Sequence, residues 1–120
     1  MKPETARWLE RAAADLSDAR VLLQHGTPGA AGFHAQQAAE KAIKAVLVER
    51  SGRYPRIHDL AVLAREAGAP AEIQKLCGHL SPAYVAARYP DAGAPPSTEE
   101  GTRLVAVAQE VVAWARQQLS

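Results

Sequence analysis

The chain has 120 residues, enough for one domain with a hydrophobic core of its own. Its 14 lysines and arginines nearly cancel its 13 aspartates and glutamates, which excludes binding of nucleic acid or an anionic membrane through net charge. Its one cysteine excludes an internal disulfide, and no cysteine–histidine spacing is typical of a zinc site. No apolar run is long enough for a signal peptide or a membrane span, so we expect a cytoplasmic protein. We also expect neither a metal nor a cofactor.

The first predicted helix runs from about Pro3 or Glu4 to about Gln24. Proline suits the first turn of a helix, and the glycine at 26 suits its end. Asp15 borders the apolar face of this helix, where either a salt bridge to the second helix or exposure to water fits its position. Residues of that face are spaced by three or four: Trp8, Ala12, Leu16, Ala19 and Leu23.

The second predicted helix, from about Ala30 to Arg50, is the expected centre of the fold. Its stretch 33–49 is rich in alanine and lacks proline and glycine, which favours an α-helix. Apolar residues spread over most of its circumference, which predicts packing on several sides. The polar strip of this helix is either a solvated edge with weak Glu–Lys pairs or the border of a site or interface. Four residues at helical spacing form this strip: Gln37, Glu40, Lys41 and Lys44.

A short turn at 27–29 separates the first two helices, so they should be antiparallel neighbours. Residues 51–57 are predicted to form a loop because they contain glycine and proline. A third, shorter helix is predicted from His58 to about Glu66. Either His58 or Asp59 suits its N-cap.

Two short helices are predicted next, Ala71–Cys77 and Ser81–Arg88, because Gly78 separates them. The segment 89–97 is a loop by composition. The sequence Ser97–Glu100 predicts a capping box that opens the last long helix. No stretch alternates as a strand does. The predicted fold is therefore an all-α, up-and-down helical bundle of three long helices and two or three short ones, forming a single domain.

Basic residues, histidines and tyrosines concentrate in the segments that link the helices. In an up-and-down bundle these segments lie near one end, where Lys41 and Lys44 could join them. Arginine binds phosphate through two hydrogen bonds, lysine acts as a point charge, and tyrosine can stack on a base. The cluster is either a phosphate or nucleotide pocket or a chance result of loops being polar. Its members are Arg53, Tyr54, Arg56, His58, Tyr84, Arg88, Tyr89 and Asp91.

Arg53 and His58 have four residues between them, a spacing that also suits RNA cleavage. The histidine could act as general acid and base, and the arginine could stabilise the charge of a phosphorane. The alternative is that His58 caps the third helix and Arg53 is solvated, since a two-residue match often arises by chance. We expect Cys77 to be a small core residue.

Three motifs follow one another along the chain. They are Gly29-x3-Phe33-His34-Ala35-Gln36-Gln37-Ala38-Ala39-Glu40-Lys41-Ala42-Ile43-Lys44-Ala45 in the second helix, then His58-Asp59-Leu60, then Tyr84-x3-Arg88-Tyr89-Pro90-Asp91. In this order they resemble the motifs of the small prokaryotic HEPN domains, and the resemblance covers about residues 4 to 116.

The resemblance implies a helical bundle that forms a two-fold homodimer and binds a nucleotide such as ATP or GTP, or RNA. Such domains are often encoded beside a minimal nucleotidyltransferase, as halves of a two-component or toxin–antitoxin-like system, so a nucleotidyltransferase is the expected partner. The matching positions are then expected to line a ligand pocket or to form a polar core. These positions are Gln37, Glu40, Lys41, Lys44, His58, Asp59, Tyr84, Arg88, Tyr89 and Asp91.

Many HEPN proteins are metal-independent ribonucleases with an Arg-x4-6-His motif in the last long helix, at the dimer interface. That helix has Arg103 and Arg116 here but no histidine, while Arg53-x4-His58 has the spacing in another segment. The leading hypothesis is therefore a nucleotide-binding or partner-binding module that is non-catalytic on its own. The alternatives are a ribonuclease toxin that uses Arg53 and His58, and a purely structural dimerisation domain.

Overall fold

The computed structural model describes residues 1–89, 91 and 93–120, without the side chains of Val85, Ala87 and Arg88. Within these residues the fold is entirely helical, as predicted. None of the described helices combines the length and apolarity needed to cross a membrane. The helices are α1 (Pro3–Gln24), α2 (Pro28–Ser51), α3 (Leu60–Glu66), α4 (Ala71–Arg88) and α5 (Thr98–Leu119).

Helix α2 is the centre of the bundle and packs against all four other helices. Every residue from 42 to 48 is buried, which corresponds to nearly two full turns. The predicted packing on several sides is therefore confirmed. The alanines of α2 allow neighbouring helices to come close, because they bury a small side chain and favour the helix itself. Fully buried alanines include Ala31, Ala35, Ala38, Ala39 and Ala42.

Helices α1 and α2 are antiparallel, as their short connection predicted. The start of α1 is bound to the end of α2 through Glu49. Its Oε1 accepts hydrogen bonds from the Lys2 backbone N–H at 2.9 Å and from the Thr5 hydroxyl at 2.8 Å. These two hydrogen bonds favour the ionised carboxylate and lower the pKa of Glu49 below its usual value.

Helix α4 is continuous where two short helices were predicted, so the predicted break at Gly78 is wrong. The helix also contains Pro82, which has no N–H to donate to the carbonyl of Gly78. Cys77 and Leu80 lie on either side of Gly78 in the sequence, and both are fully buried in the core. Burying these side chains against the other helices offsets the local cost of glycine and proline, and the helix continues.

Helix α5 begins with the predicted capping box. The Glu100 N–H donates to the Ser97 hydroxyl at 3.1 Å, and the Ser97 N–H donates to the Glu100 carboxylate at 3.5 Å. One turn later, Gly101 lies directly against the start of α2. A Cβ at Gly101 would come within 2.8 Å of the Pro28 Cβ and 3.2 Å of the Pro28 Cα. The first turns of α2 and α5 therefore depend on a glycine for their close approach.

We expect Gly101→Ala to lower the free energy of unfolding by about 1–3 kcal/mol, because the rigid Pro28 ring and backbone must move to admit one methyl group. The matched control is Gly78→Ala, which adds the same methyl group to another helix where nothing lies within 4 Å. This control should raise stability by about 0.5–1 kcal/mol, the usual gain of alanine over glycine inside a helix. Urea denaturation of both variants measures the difference, and equal effects would contradict the close contact.

Candidate functional site

Two of the four residues of the polar strip of α2 lie inside the bundle. The side chains of Glu40 and Lys44 are only 5% and 7% exposed, respectively, and the Lys44 Nζ donates to Glu40 Oε2 at 2.9 Å. The interpretation as a solvated edge therefore fails for these two residues. Burying both charges is costly unless their remaining hydrogen-bonding atoms find partners.

The carboxylate of Glu40 is the centre of a hydrogen-bond network. It accepts from the Gln36 Nε2 at 3.1 Å, and both of its oxygens lie 3.1 Å from the His58 Nδ1. The Gln37 amide in turn donates to the Gln36 Oε1 at 2.7 Å. We call Gln36, Gln37, Glu40, Lys44 and His58 the Glu40 network.

Gln36 is fully buried and is the member of the Glu40 network that sequence reasoning missed. The signal in the sequence was its spacing, because Gln36, Glu40 and Lys44 follow one another at intervals of four residues. Residues four apart share a helix face.

His58 connects the Glu40 network to the protein surface. Its side chain is 49% exposed, although its Nδ1 is held by Glu40. Because a carboxylate can only accept, the Nδ1–H donates to it. The imidazole also stacks on the Tyr84 ring, with centroids 4.6 Å apart and planes inclined by 19°.

Asp59, not His58, is the N-cap of α3. Its Oδ1 accepts from the Ala61 N–H at 3.1 Å and from the Val62 N–H at 3.3 Å. The choice that the sequence left open is thereby decided. Because Asp59 caps the helix, the imidazole of His58 is free of that role and hydrogen-bonds to Glu40 instead.

Two aromatic rings cover the ammonium group of Lys44. Its Nζ lies 4.9 Å from the centroid of the Tyr54 ring and 5.9 Å from that of Trp8. The two rings meet edge to face at 4.9 Å. These contacts attract the cation to the rings and join α1 to the segment after α2.

A second polar cluster lies nearer the start of α2. The Lys41 Nζ donates to Asp15 Oδ2 at 2.5 Å, and the His34 Nδ1 lies 3.1 Å from Asp15 Oδ1. Asp15 therefore bridges α1 to α2, which confirms the salt-bridge alternative. Asp18 lies close by, with ligand atoms of Asp15, Asp18 and His34 within 4.8 Å of one another, but Lys41 already balances the Asp15 charge.

Residues 52–59, which we call the cationic loop, contain two arginines. Arg53 and Arg56 are both exposed. The Arg56 guanidinium carbon lies 5.8 Å from the centroid of the Tyr54 ring. In the part of the chain that the structure describes, the side chain of Arg53 makes no hydrogen bond or ion pair.

The third motif is described only in part. Tyr84 lies beside His58, while Tyr89 is 56% exposed and Asp91 is also exposed. The Arg88 side chain and Pro90 lie outside the described residues, so the site expected at Arg88 stays a prediction.

Cys77 is a core residue, as expected. It is fully buried, and burial raises the pKa of its thiol to about 12. The thiol therefore stays protonated and unreactive at neutral pH.

The family model for the HEPN domain matches residues 5–118, nearly the whole chain. The chain belongs to the HEPN family. The resemblance carried by the three motifs is thereby confirmed, and so is the expected helical bundle.

Solved structures of similar proteins share this fold over almost their full length. TT1696 from Thermus thermophilus is 27% identical with a TM-score of 0.88, and the match covers 98% of this chain and 99% of that one. ST0689, an archaeal HEPN homologue, is 29% identical with a TM-score of 0.83 and all of both chains covered. An HEPN domain protein (tm0613) from Thermotoga maritima is 28% identical with a TM-score of 0.76, covering 94% and 97%. No significant match is found among curated proteins.

In this HEPN domain the polar residues of the α2 motif are bound to one another or to neighbouring helices. Glu40 and Lys44 are paired in the core, and Lys41 is paired with Asp15. The groups that face solvent at the same end include His58 and the arginines of the cationic loop. The α2 motif thus holds the histidine in place, and the loop carries the accessible charge.

We expect Lys44→Met to lower the free energy of unfolding by about 3–5 kcal/mol, because it leaves the Glu40 charge buried without its partner. Adding Glu40→Gln to that variant should recover most of the loss, since the carboxylate is then replaced by a neutral group of the same shape. The control is Lys75→Met in α4, where the lysine is exposed and the change should stay within about 0.5 kcal/mol. Urea denaturation of the three variants tests this, and an equal loss in the single and double variants would mean that the pair is not coupled.

Proposed function

We propose that this HEPN protein binds the phosphate groups of a nucleotide at its cationic loop. In this proposal the protein is the non-catalytic half of a two-component, toxin–antitoxin-like system, with a minimal nucleotidyltransferase as its partner and a two-fold homodimer as its working unit. The observation that carries the phosphate site is His58, which a buried carboxylate holds at one ring nitrogen while half of the side chain faces solvent, in the same loop as two exposed arginines.

The charge of the cationic loop favours an anion. Arg53 and Arg56 contribute two permanent cations, and a guanidinium can donate two parallel hydrogen bonds to a phosphate. The one carboxylate of the loop, on Asp59, already accepts two hydrogen bonds from the start of α3. Since the whole chain is nearly neutral, this attraction is local and should weaken as salt increases.

The buried residues of the motif support this site from behind. Glu40 is neutralised by Lys44 and orients His58, while the aromatic contacts of Lys44 hold Tyr54 in the middle of the loop. Tyr84 stacks on His58 and thereby brings α4 next to the loop. Preorganised donors bind an anion with less loss of side-chain entropy than mobile ones.

ATP or GTP should raise the melting temperature of the wild-type protein, and a ligand at 100 times its dissociation constant adds about 2.7 kcal/mol of stability. Arg53→Gln and Arg56→Gln should each reduce this shift, and so should high salt, because each of these changes weakens the attraction for phosphate. The control is Arg65→Gln, the same change at an exposed arginine of α3 outside the loop, which should keep the full shift. A thermal-shift titration measures all four proteins. The absence of any nucleotide shift, or an equal shift in all variants, would exclude this site.

Ribonuclease activity is the second candidate function, because the Glu40–His58 pair has the geometry of a carboxylate that orients a general base. The leading proposal predicts that RNA incubated with the protein in EDTA stays intact on a gel. Cleavage that is abolished by His58→Ala and Arg53→Ala, and retained by His25→Ala at an exposed histidine outside the loop, would instead assign the catalytic function. Co-purification of the protein with a nucleotidyltransferase encoded beside it tests the proposed partner.

A further inference from the structure

We propose that a groove beside the start of α2 binds a small aromatic carboxylate. The groove has a volume of about 820 Å³ and lies between the start of α2, the second half of α4 and the start of α5. Binding sites for small molecules commonly have this size and combine an apolar lining with few polar groups. This site goes beyond the nucleotide function proposed for the cationic loop.

Apolar side chains form most of the groove. Phe33, Pro82, Pro96 and Leu104 line it, and the alanines between them leave the space open. Phe33 offers an aromatic ring that is only partly buried. A flat one-ring or two-ring group can stack against such a ring and bury its apolar surface at the same time.

An exposed guanidinium in the groove can bind a carboxylate on that ring. Arg103 lines the groove, is exposed, and has no ion-pair partner among the residues whose side chains are described. The carboxylate of Glu100, which also lines the groove, is engaged with Ser97 in the capping box. A guanidinium free of protein carboxylates can bind one on a ligand through two hydrogen bonds.

His34 adds a further polar group to this wall. It lines the groove, and its Nδ1 is held by Asp15 at 3.1 Å. The ring is therefore fixed by one nitrogen, as in the Glu40 network, and the other nitrogen is left for a ligand. The groove thus combines an apolar lining, an exposed guanidinium and one oriented imidazole.

The groove and the cationic loop are connected through stacked rings. Phe33 stacks on Tyr84 at 6.4 Å between centroids, and Tyr84 stacks on His58 at 4.6 Å. Because the two sites are neighbours and each contains an exposed arginine, the experiment must distinguish a ligand in the groove from an anion on the loop.

The probe is 2-naphthoate, measured by isothermal titration calorimetry on the full chain. We expect binding to the wild-type protein that is about tenfold weaker in Arg103→Gln, the loss typical of one charge-assisted interaction. Arg116→Gln, on the same helix but outside the groove, should bind as the wild type does. The neutral analogue 2-naphthalenemethanol should bind the wild type and Arg103→Gln equally.

Three outcomes would overturn the proposal. One is the absence of 2-naphthoate binding, and another is equal affinity in the wild type and in Arg103→Gln. The third is loss of naphthoate binding in Arg53→Gln, which would place the anion on the cationic loop. Naphthoate binding that persists in Arg53→Gln while the ATP shift is lost supports two separate sites. If ATP causes no thermal shift but naphthoate binds as expected, the phosphate site is excluded and the proposal for the groove is supported.

Discussion

The buried carboxylate of Glu40 is the constraint on which this end of the bundle depends. An ionised carboxylate inside a protein is tolerated only where hydrogen bonds and an opposite charge replace water. Two partners, Gln36 and Lys44, come from the same helix one turn away on either side. The third, His58, comes from the loop after α2, so the same carboxylate that requires partners also sets the position of that loop.

This arrangement separates the residues that hold the site from those that face solvent. The polar positions of the α2 motif are paired with one another or with Asp15 and His58, and Gln36, Glu40 and Lys44 among them are buried. The accessible charge comes from the cationic loop, where Arg53 and Arg56 are exposed. Buried networks of this kind rigidify a structure when every member is satisfied. Among the described side chains, no buried polar atom lacks a partner.

Small residues decide how the other end of the bundle is built. Gly101 allows α5 to touch Pro28 at the start of α2, and Gly32 lies where a Cβ would be 2.9 Å from Leu104. Close packing at these glycines brings the starts of α2 and α5 together. Beside them, the alanines of α2 and α4 leave the groove that Phe33 and Arg103 line. The same preference for small side chains thus produces both a close contact between helices and the groove beside it.

The elements that could be predicted from the sequence are those that local physics specifies. The three long helices follow from alanine-rich composition and apolar spacing, and the start of α5 follows from Ser97 and Glu100, which are three residues apart. The polar strip of α2 was also visible, because residues four apart share a helix face. Its burial was not, since a strip with this spacing can face either water or the interior.

Contacts between distant segments decided the remaining features. Asp15 and His34 are 19 residues apart, and Glu40 and His58 are 18 apart, so no local rule pairs them. Helix α4 continues through glycine and proline because burial of its apolar side chains outweighs local propensity. Propensity and capping act within one or two turns, whereas burial and charge pairing depend on which helices meet. For that reason the helices could be predicted along the chain, and the partners of their polar residues became known only from the packed bundle.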